Sequence, residues 1–89
     1  MASFKIDWKK SSIKDLYGVH QSYIKRIVKA VEELVEDPLP AQSKKIKDSE
    51  RSYRIRVGDY RIVYQVDFQK KIITIFAVKH RKDIYRNLN

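Results

Sequence analysis

Arg54, Arg56 and Arg61 bracket a Gly58-Asp59 pair, and a second basic run, Lys79-His80-Arg81, follows with Tyr85 beyond it. These side chains suit one kind of chemistry. Guanidinium forks match phosphate oxygens two at a time and stay charged at any working pH. A histidine and a phenol can exchange a proton or stack on a base, and imidazole titrates nearer neutrality than phenol does. Such a set is what a phosphodiester needs, provided that the fold brings the separate stretches to one place.

The spacing of the residues says how that can happen. Tyr53, Ile55 and Val57 alternate with Arg54 and Arg56, the period-two pattern of a half-buried strand. Gly58-Asp59 is a two-residue hairpin turn, since both positions tolerate positive φ. The return strand runs from Tyr60 to about Asp67. Val57 then pairs with Tyr60, Arg56 with Arg61, and Arg54 lies opposite Val63 on the same face. Two arginines directly across a ladder repel one another. An anion shared between them is the reading favoured here; the plain alternative is that both splay into water, where screening makes the pair cheap. A polar stretch, Phe68 to Lys71, leads to a third strand from Ile72 to Lys79. In an antiparallel meander its end returns beside Arg61, carrying Lys79, His80 and Arg81 with it, and Tyr85 can fold back from a short C-terminal helix between Lys82 and Leu88.

Ahead of the meander, Phe4, Ile6 and Trp8 alternate with polar residues as a first strand whose Trp8 faces the core. Ser12 followed by Asp15 resembles a capping box, opening a short helix that turns Ile13, Leu16 and Tyr17 inward and stops at Gly18. A longer helix from about His20 to Glu36 carries one apolar stripe, Ile24, Ile27, Val28, Val31, Leu34 and Val35. That stripe is core. Pro38 and Pro40 end it and begin a connector reaching to about Arg51. The expected fold is α+β: an N-terminal strand, two helices, a three-stranded antiparallel meander and a short C-terminal helix, with the helices on a largely antiparallel sheet.

Bulk properties agree. The 89 residues make a single domain, 1–89, with one modest core. No apolar run approaches the roughly 18 to 20 residues needed to span a bilayer, and the N-terminus has no signal-peptide pattern. Zero cysteines exclude a disulfide framework, a thiolate metal site and a cysteine nucleophile. No membrane association and a cytoplasmic location are expected. The net charge of +9 is uneven: residues 1–43 hold seven Lys/Arg against six Asp/Glu, and residues 44–89 hold thirteen against five. Positive charge concentrated in one half of the chain points to a polyanion, and to nucleic acid before lipid, because no amphipathic helix displays it.

At these same residues the chain resembles the RelE-type toxins of toxin–antitoxin pairs. The stretches Tyr53-Arg54-Ile55-Arg56-Val57-Gly58-Asp59-Tyr60-Arg61-Ile62-Val63-Tyr64 and Val78-Lys79-His80-Arg81-Lys82-Asp83-Ile84-Tyr85 carry the resemblance, which extends over essentially the whole chain. It implies an endoribonuclease that cuts messenger RNA, typically in the ribosomal A site, without a metal or other cofactor, and that a cognate antitoxin protein holds inactive. In that chemistry a ribose 2′-hydroxyl attacks the adjacent phosphate. Arg61 matches the family's phosphate-binding arginine. Arg81 matches the arginine assigned to transition-state stabilisation or leaving-group protonation, and Tyr85 matches a tyrosine that stacks on or orients the substrate. Arg54 and Arg56 stand where some members carry lysines, so a proton-transfer role for those lysines does not pass to this chain. With Lys79 they are the expected RNA-binding residues, while His80 joins Arg61, Arg81 and Tyr85 as a catalytic candidate. A surface histidine closing a strand is an equal reading of His80. His20 reads as structural. Asp48 and Glu50, in the connector, read as solvated loop residues before a catalytic base, and Tyr53 and Tyr64 as packing partners.

Two other functions fit the same residues. A ParE-like gyrase inhibitor would share the fold but generally lacks the basic–tyrosine set. A nucleic-acid-binding module without chemistry, or a toxin whose activity has decayed, would keep the basic hairpin alone. An antitoxin is expected to wrap the helices, cover or distort the basic face, and be locally acidic.

Overall fold

Gly58 sets the register on which the sheet depends. In the computed structural model, which describes residues 3–47 and 51–82, it has φ +58° and opens a two-residue turn between β3 (Ser52–Val57) and β4 (Tyr60–Asp67). The pairs are those that the turn demands: Val57 with Tyr60, Arg56 with Arg61, Arg54 with Val63 and Tyr53 with Tyr64. A side chain at this position is excluded twice. The backbone is left-handed, and an added Cβ would lie 2.5 Å from Cε1 of Tyr23. Gly58→Ala is therefore expected to destabilise the fold by about 2 kcal/mol, read as a lowered urea midpoint at unchanged slope. A midpoint shift close to zero would mean that the turn carries no such constraint.

The remaining elements are β1 (Lys5–Trp8), α1 (Lys10–Leu16), α2 (Gln21–Glu33), β2 (Lys44–Lys45) and β5 (Ile72–His80). They build an α+β fold around one sheet of order β1-β5-β4-β3-β2. The meander β3-β4-β5 is antiparallel, as the sequence implies. Two features extend it. β1 pairs in parallel with β5, so the sheet is mixed, and the two residues of β2 add an antiparallel edge beside β3. The connector thus contains a strand. The pairing of β4 with β5 slips between Val63, opposite Ala77, and Tyr64, opposite Ile75, which leaves Phe76 as a bulge residue.

The α2 stripe packs on one face of this sheet. Ile27, Val31 and Leu34 are fully buried with Ile55, Ile62, Tyr64, Ile73 and Ile75. Each such side chain contributes about 1.5–3 kcal/mol by leaving water. His20 caps α2 through Nδ1, which accepts from the Ser22 amide at 3.2 Å, so its structural reading fits.

α1 departs from the expected capping box. It begins at Lys10 with no side-chain cap, and the Ser12 hydroxyl, fully buried, donates back to the Lys9 carbonyl at 2.6 Å. Ile13 (42% exposed) and Tyr17 (85%) face out, and only Leu16 of the three expected residues packs on the core. The reason lies in β5. β1 covers that strand only as far as Ile75. Beyond it the Lys9 amide donates to the Ile75 carbonyl (3.0 Å), the Ser11 hydroxyl to that of Phe76 (2.8 Å), and the Val78 amide to Asp15 Oδ2 (3.0 Å). The serine and aspartate are engaged on a strand edge, where backbone groups would otherwise lie open to water or to another chain. Arg81 and Lys82 begin a helical turn; the rest of the expected C-terminal helix lies outside the described residues.

Candidate nucleic-acid interface

Strand alternation sends the arginines to the face opposite α2. Since Ile55, Val57 and Ile62 point into the core, Arg54, Arg56 and Arg61 must point away from it. The register then sets Arg56 against Arg61 and, one strand further out, Lys44 against Arg54. Two pairs of like charges thus stand directly opposite one another on three adjacent strands. They line a depression of about 420 Å³ with Gln42, Ile55 and Gly58. Among the described residues, every ionisable side chain lining it is a cation. Arg56 is exposed, and its Nε donates to the Gly58 carbonyl at 3.0 Å, so the turn holds its guanidinium in place. Arg54 and Arg61 are half-buried. Guanidinium groups fixed on rigid strands and partly withdrawn from water are suited to grip a phosphate.

The other expected residues lie around this depression rather than in it. Lys79 pairs with Arg61 and shares its face, but its ammonium is held by Asp15 in a 3.1 Å ion pair. His80 pairs with Tyr60 and so points to the α2 side. Its ring meets that of Tyr60 edge-on at 5.3 Å, Tyr60 in turn packs against Tyr23 at 5.3 Å, and Nδ1 accepts from the Lys82 amide at 3.3 Å. With Nδ1 occupied, Nε2 is the nitrogen of His80 that carries an exchangeable proton. Arg81 is tied by its backbone to the turn, its amide donating to the Asp59 carbonyl at 2.7 Å, which brings it to the Arg56–Arg61 end of the cluster. Tyr85, Asp48 and Glu50 lie outside the described residues. Among the described residues no group of His, Cys, Asp or Glu gathers as a metal site would, and no helix is long and apolar enough to cross a membrane.

Lys44 and Asp15 are the residues that the sequence did not single out. Lys44 sits in a connector with no alternating pattern, and only pairing with β3 gives it a face. Asp15 looks like half of a capping box, yet it organises the end of β5 and restrains Lys79.

Comparison with known proteins adds to this geometry. Residues 6–85 match the family described as the ParE toxin of the type II toxin-antitoxin system, parDE. Toxin RelE3 of Methanocaldococcus jannaschii is 39% identical over 85 residues, covering 91% of this chain and 94% of that protein. Among solved structures, the RelB-RelE antitoxin-toxin complex from Methanococcus jannaschii aligns with a TM-score of 0.79 at 36% identity, over 93% of this chain and 99% of the other. The archaeal RelE-RelB complex from Pyrococcus horikoshii OT3 gives 0.79 at 26% identity, over 89% and 96%. By sequence over nearly its full length, and by its structural alignment, the chain belongs to the RelE/ParE superfamily, as a RelE-type toxin of a type II toxin–antitoxin system.

Proposed function

We propose that the chain is an endoribonuclease that cleaves messenger RNA in the ribosomal A site, with no metal or cofactor, as one cytoplasmic domain spanning residues 1–89. The observation that carries this reading is the depression lined by Lys44, Arg54, Arg56 and Arg61, whose ionisable groups among the described residues are all cationic. Repulsion across two ladder pairs is a cost that an RNA backbone relieves. In the reaction the ribose 2′-oxygen forms a bond to phosphorus as the bond from phosphorus to the 5′-oxygen breaks. The products are a 2′,3′-cyclic phosphate and a 5′-hydroxyl; the 2′-hydroxyl loses its proton to a base and the leaving oxygen gains one. Arg54, Arg56 and Arg61 hold the phosphate and stabilise the charge that grows on its oxygens. Arg81 acts from the turn on the leaving side. Tyr85 and Nε2 of His80 are the proton-exchanging candidates, and Lys79 contributes to RNA binding.

The partner is a RelB-type antitoxin, as in the complexes from Methanococcus jannaschii and Pyrococcus horikoshii. An acidic segment over the four-cation depression would mask the toxin. Gyrase inhibition is the second reading, because the matching family is described by its ParE members.

Tightly induced expression of the chain and of an Arg61→Ala/Arg81→Ala double variant, with the 5′ ends of cellular messages mapped, separates the two. In-frame cuts inside translated regions, absent from the double variant, are the expected result. Growth arrest with intact messages would move the target to gyrase.

A further inference from the structure

The bulge in β5 holds a large aromatic side chain on the face of the sheet that α2 does not cover. Ala77 stands opposite Val63 and Ile75 opposite Tyr64, so Phe76 and Ala77 follow one another between two buried residues, Ile75 and Val78. Ile62 and Tyr64 are fully buried on the α2 side, which puts Val63 and its partner Ala77 on the open face. Phe76 shares it. Lys5 and Asp7 alternate with the half-buried Ile6 and Trp8, and Lys9 continues that alternation onto the open face. Its ammonium lies over the Phe76 ring, 4.7 Å from the centroid. The Phe76 backbone is held as well, its carbonyl accepting from the Ser11 hydroxyl at 2.8 Å. The ring is half-buried, yet among the described residues it is not one of those that pack on the core cluster. Bulges re-aim side chains and recur beside active sites.

We infer that Phe76 is a stacking platform for one base of single-stranded RNA, and that Lys9 covers the ring until the base displaces it. The inference rests on the RNA-cleaving reading and adds to it a contact with bases. Guanidinium groups grip the RNA backbone, and a flat apolar ring beside them is what a base requires. The ring is continuous with the candidate interface. Arg61 and Val63 are two residues apart along β4, roughly 6.7 Å, and Ala77 lies one strand across from Val63, roughly 4.8 Å. Lys79 stands opposite Arg61, so one nucleotide reaches from a phosphate at that end to the Phe76 ring. The neighbours Val63 and Ala77 are small and leave room beside the ring. Lys9 is exposed, and an exposed ammonium over a ring is a weaker contact than a base stacked on it. Exchange therefore favours the base, and the released ammonium can turn to the RNA backbone. Such a contact accepts any base. It favours unpaired RNA, because the bases of a duplex are already stacked.

Binding is measured by fluorescence anisotropy at low salt with two short, uncleavable 2′-O-methyl oligonucleotides of equal charge. One carries a base at every position and the other is abasic throughout. The parent chain should bind the base-bearing strand more tightly. In Phe76→Leu, which keeps an apolar side chain but removes the ring, that preference should fall roughly tenfold. Affinity for the abasic strand should stay unchanged, since no charge is lost. Phe76→Tyr should keep the preference, and Lys9→Ala, which uncovers the ring, should keep or raise it. A fall in Lys9→Ala would show that the ammonium and not the ring bears on the base. Equal weakening of both strands in Phe76→Leu would make the ring a structural element. An unchanged preference there would leave the ring to a protein partner. Each of these three results overturns the platform while RNA binding stands. If the parent binds neither strand, the nucleic-acid reading itself fails and the platform with it.

Discussion

Arg61→Ala is expected to slow RNA cleavage by about a hundred- to a thousandfold, the usual loss when one fixed donor to a developing oxyanion is removed. Arg61→Lys should recover little of it. Lysine restores the charge but not the planar fork, and a point charge cannot hold two phosphate oxygens in a set orientation. Stability should move differently from activity. Arg56 and Arg61 stand directly opposite one another, so neutralising the exposed Arg56 as Arg56→Gln relieves repulsion of a few tenths to about 1 kcal/mol against the loss of one exposed hydrogen bond to Gly58. The melting temperature of Arg56→Gln should equal or exceed that of the parent chain, while its cleavage falls. Added inorganic phosphate should raise the melting temperature of the parent more than that of the variant, since an anion that binds the folded state stabilises it by mass action. Cleavage and melting temperature measured on the same samples decide the matter. If Arg56→Gln loses stability and activity together, the arginine pair is structural rather than an anion clamp.

The pairing of the two arginines was legible because it rests on local rules. A Gly-Asp turn and alternating apolar residues leave one register for β3 and β4, and Arg56 opposite Arg61 follows from it. The same alternation also separates His80 from the arginines: Lys79 pairs with Arg61, so the next residue faces α2 and rests on Tyr60. Closeness in sequence suggested convergence where the pleat enforces opposite faces. The parts not legible depend on tertiary partners. β2 has two lysines and no apolar pattern, and only the free edge of β3 makes it a strand. The parallel pairing of β1 with β5 joins residues far apart in the chain, and neither strand alone specifies it. Asp15 shows the same limit in a single residue. A helix-capping pattern and a strand-edge clasp use the same short acidic side chain, and here the unpaired Val78 amide of β5 wins it.

Tyr64 should make the fold sensitive to alkali in a way that Tyr64→Phe removes. Its ring is fully buried at the centre of β4, beside Tyr53 at 6.0 Å, and its hydroxyl donates to the Pro38 carbonyl at 2.8 Å, fastening the segment after α2 to the sheet. Burial, the largest influence, pushes the phenol from 10.0 up to about 12, against the opposing effect of a hydrogen bond from Ser43. The folded chain therefore holds this proton more tightly than the unfolded chain does. The stabilising contribution is complete below pH 10 and is lost as pH rises towards 12. It amounts to about 2 kcal/mol once some solvent relaxation around the phenolate is allowed for. Tyr64→Phe lacks this loss but sacrifices the part-buried hydrogen bond to the Pro38 carbonyl, costing about 1 kcal/mol near neutrality. Every other titratable group is common to both chains, so its effect cancels in the comparison. Urea midpoints measured from neutral to strongly alkaline pH should start with the parent above the variant and draw together above pH 10. Parallel curves across that range would show that the Tyr64 hydroxyl reaches water in the folded state and that its bond to Pro38 does not tie the connector to the sheet.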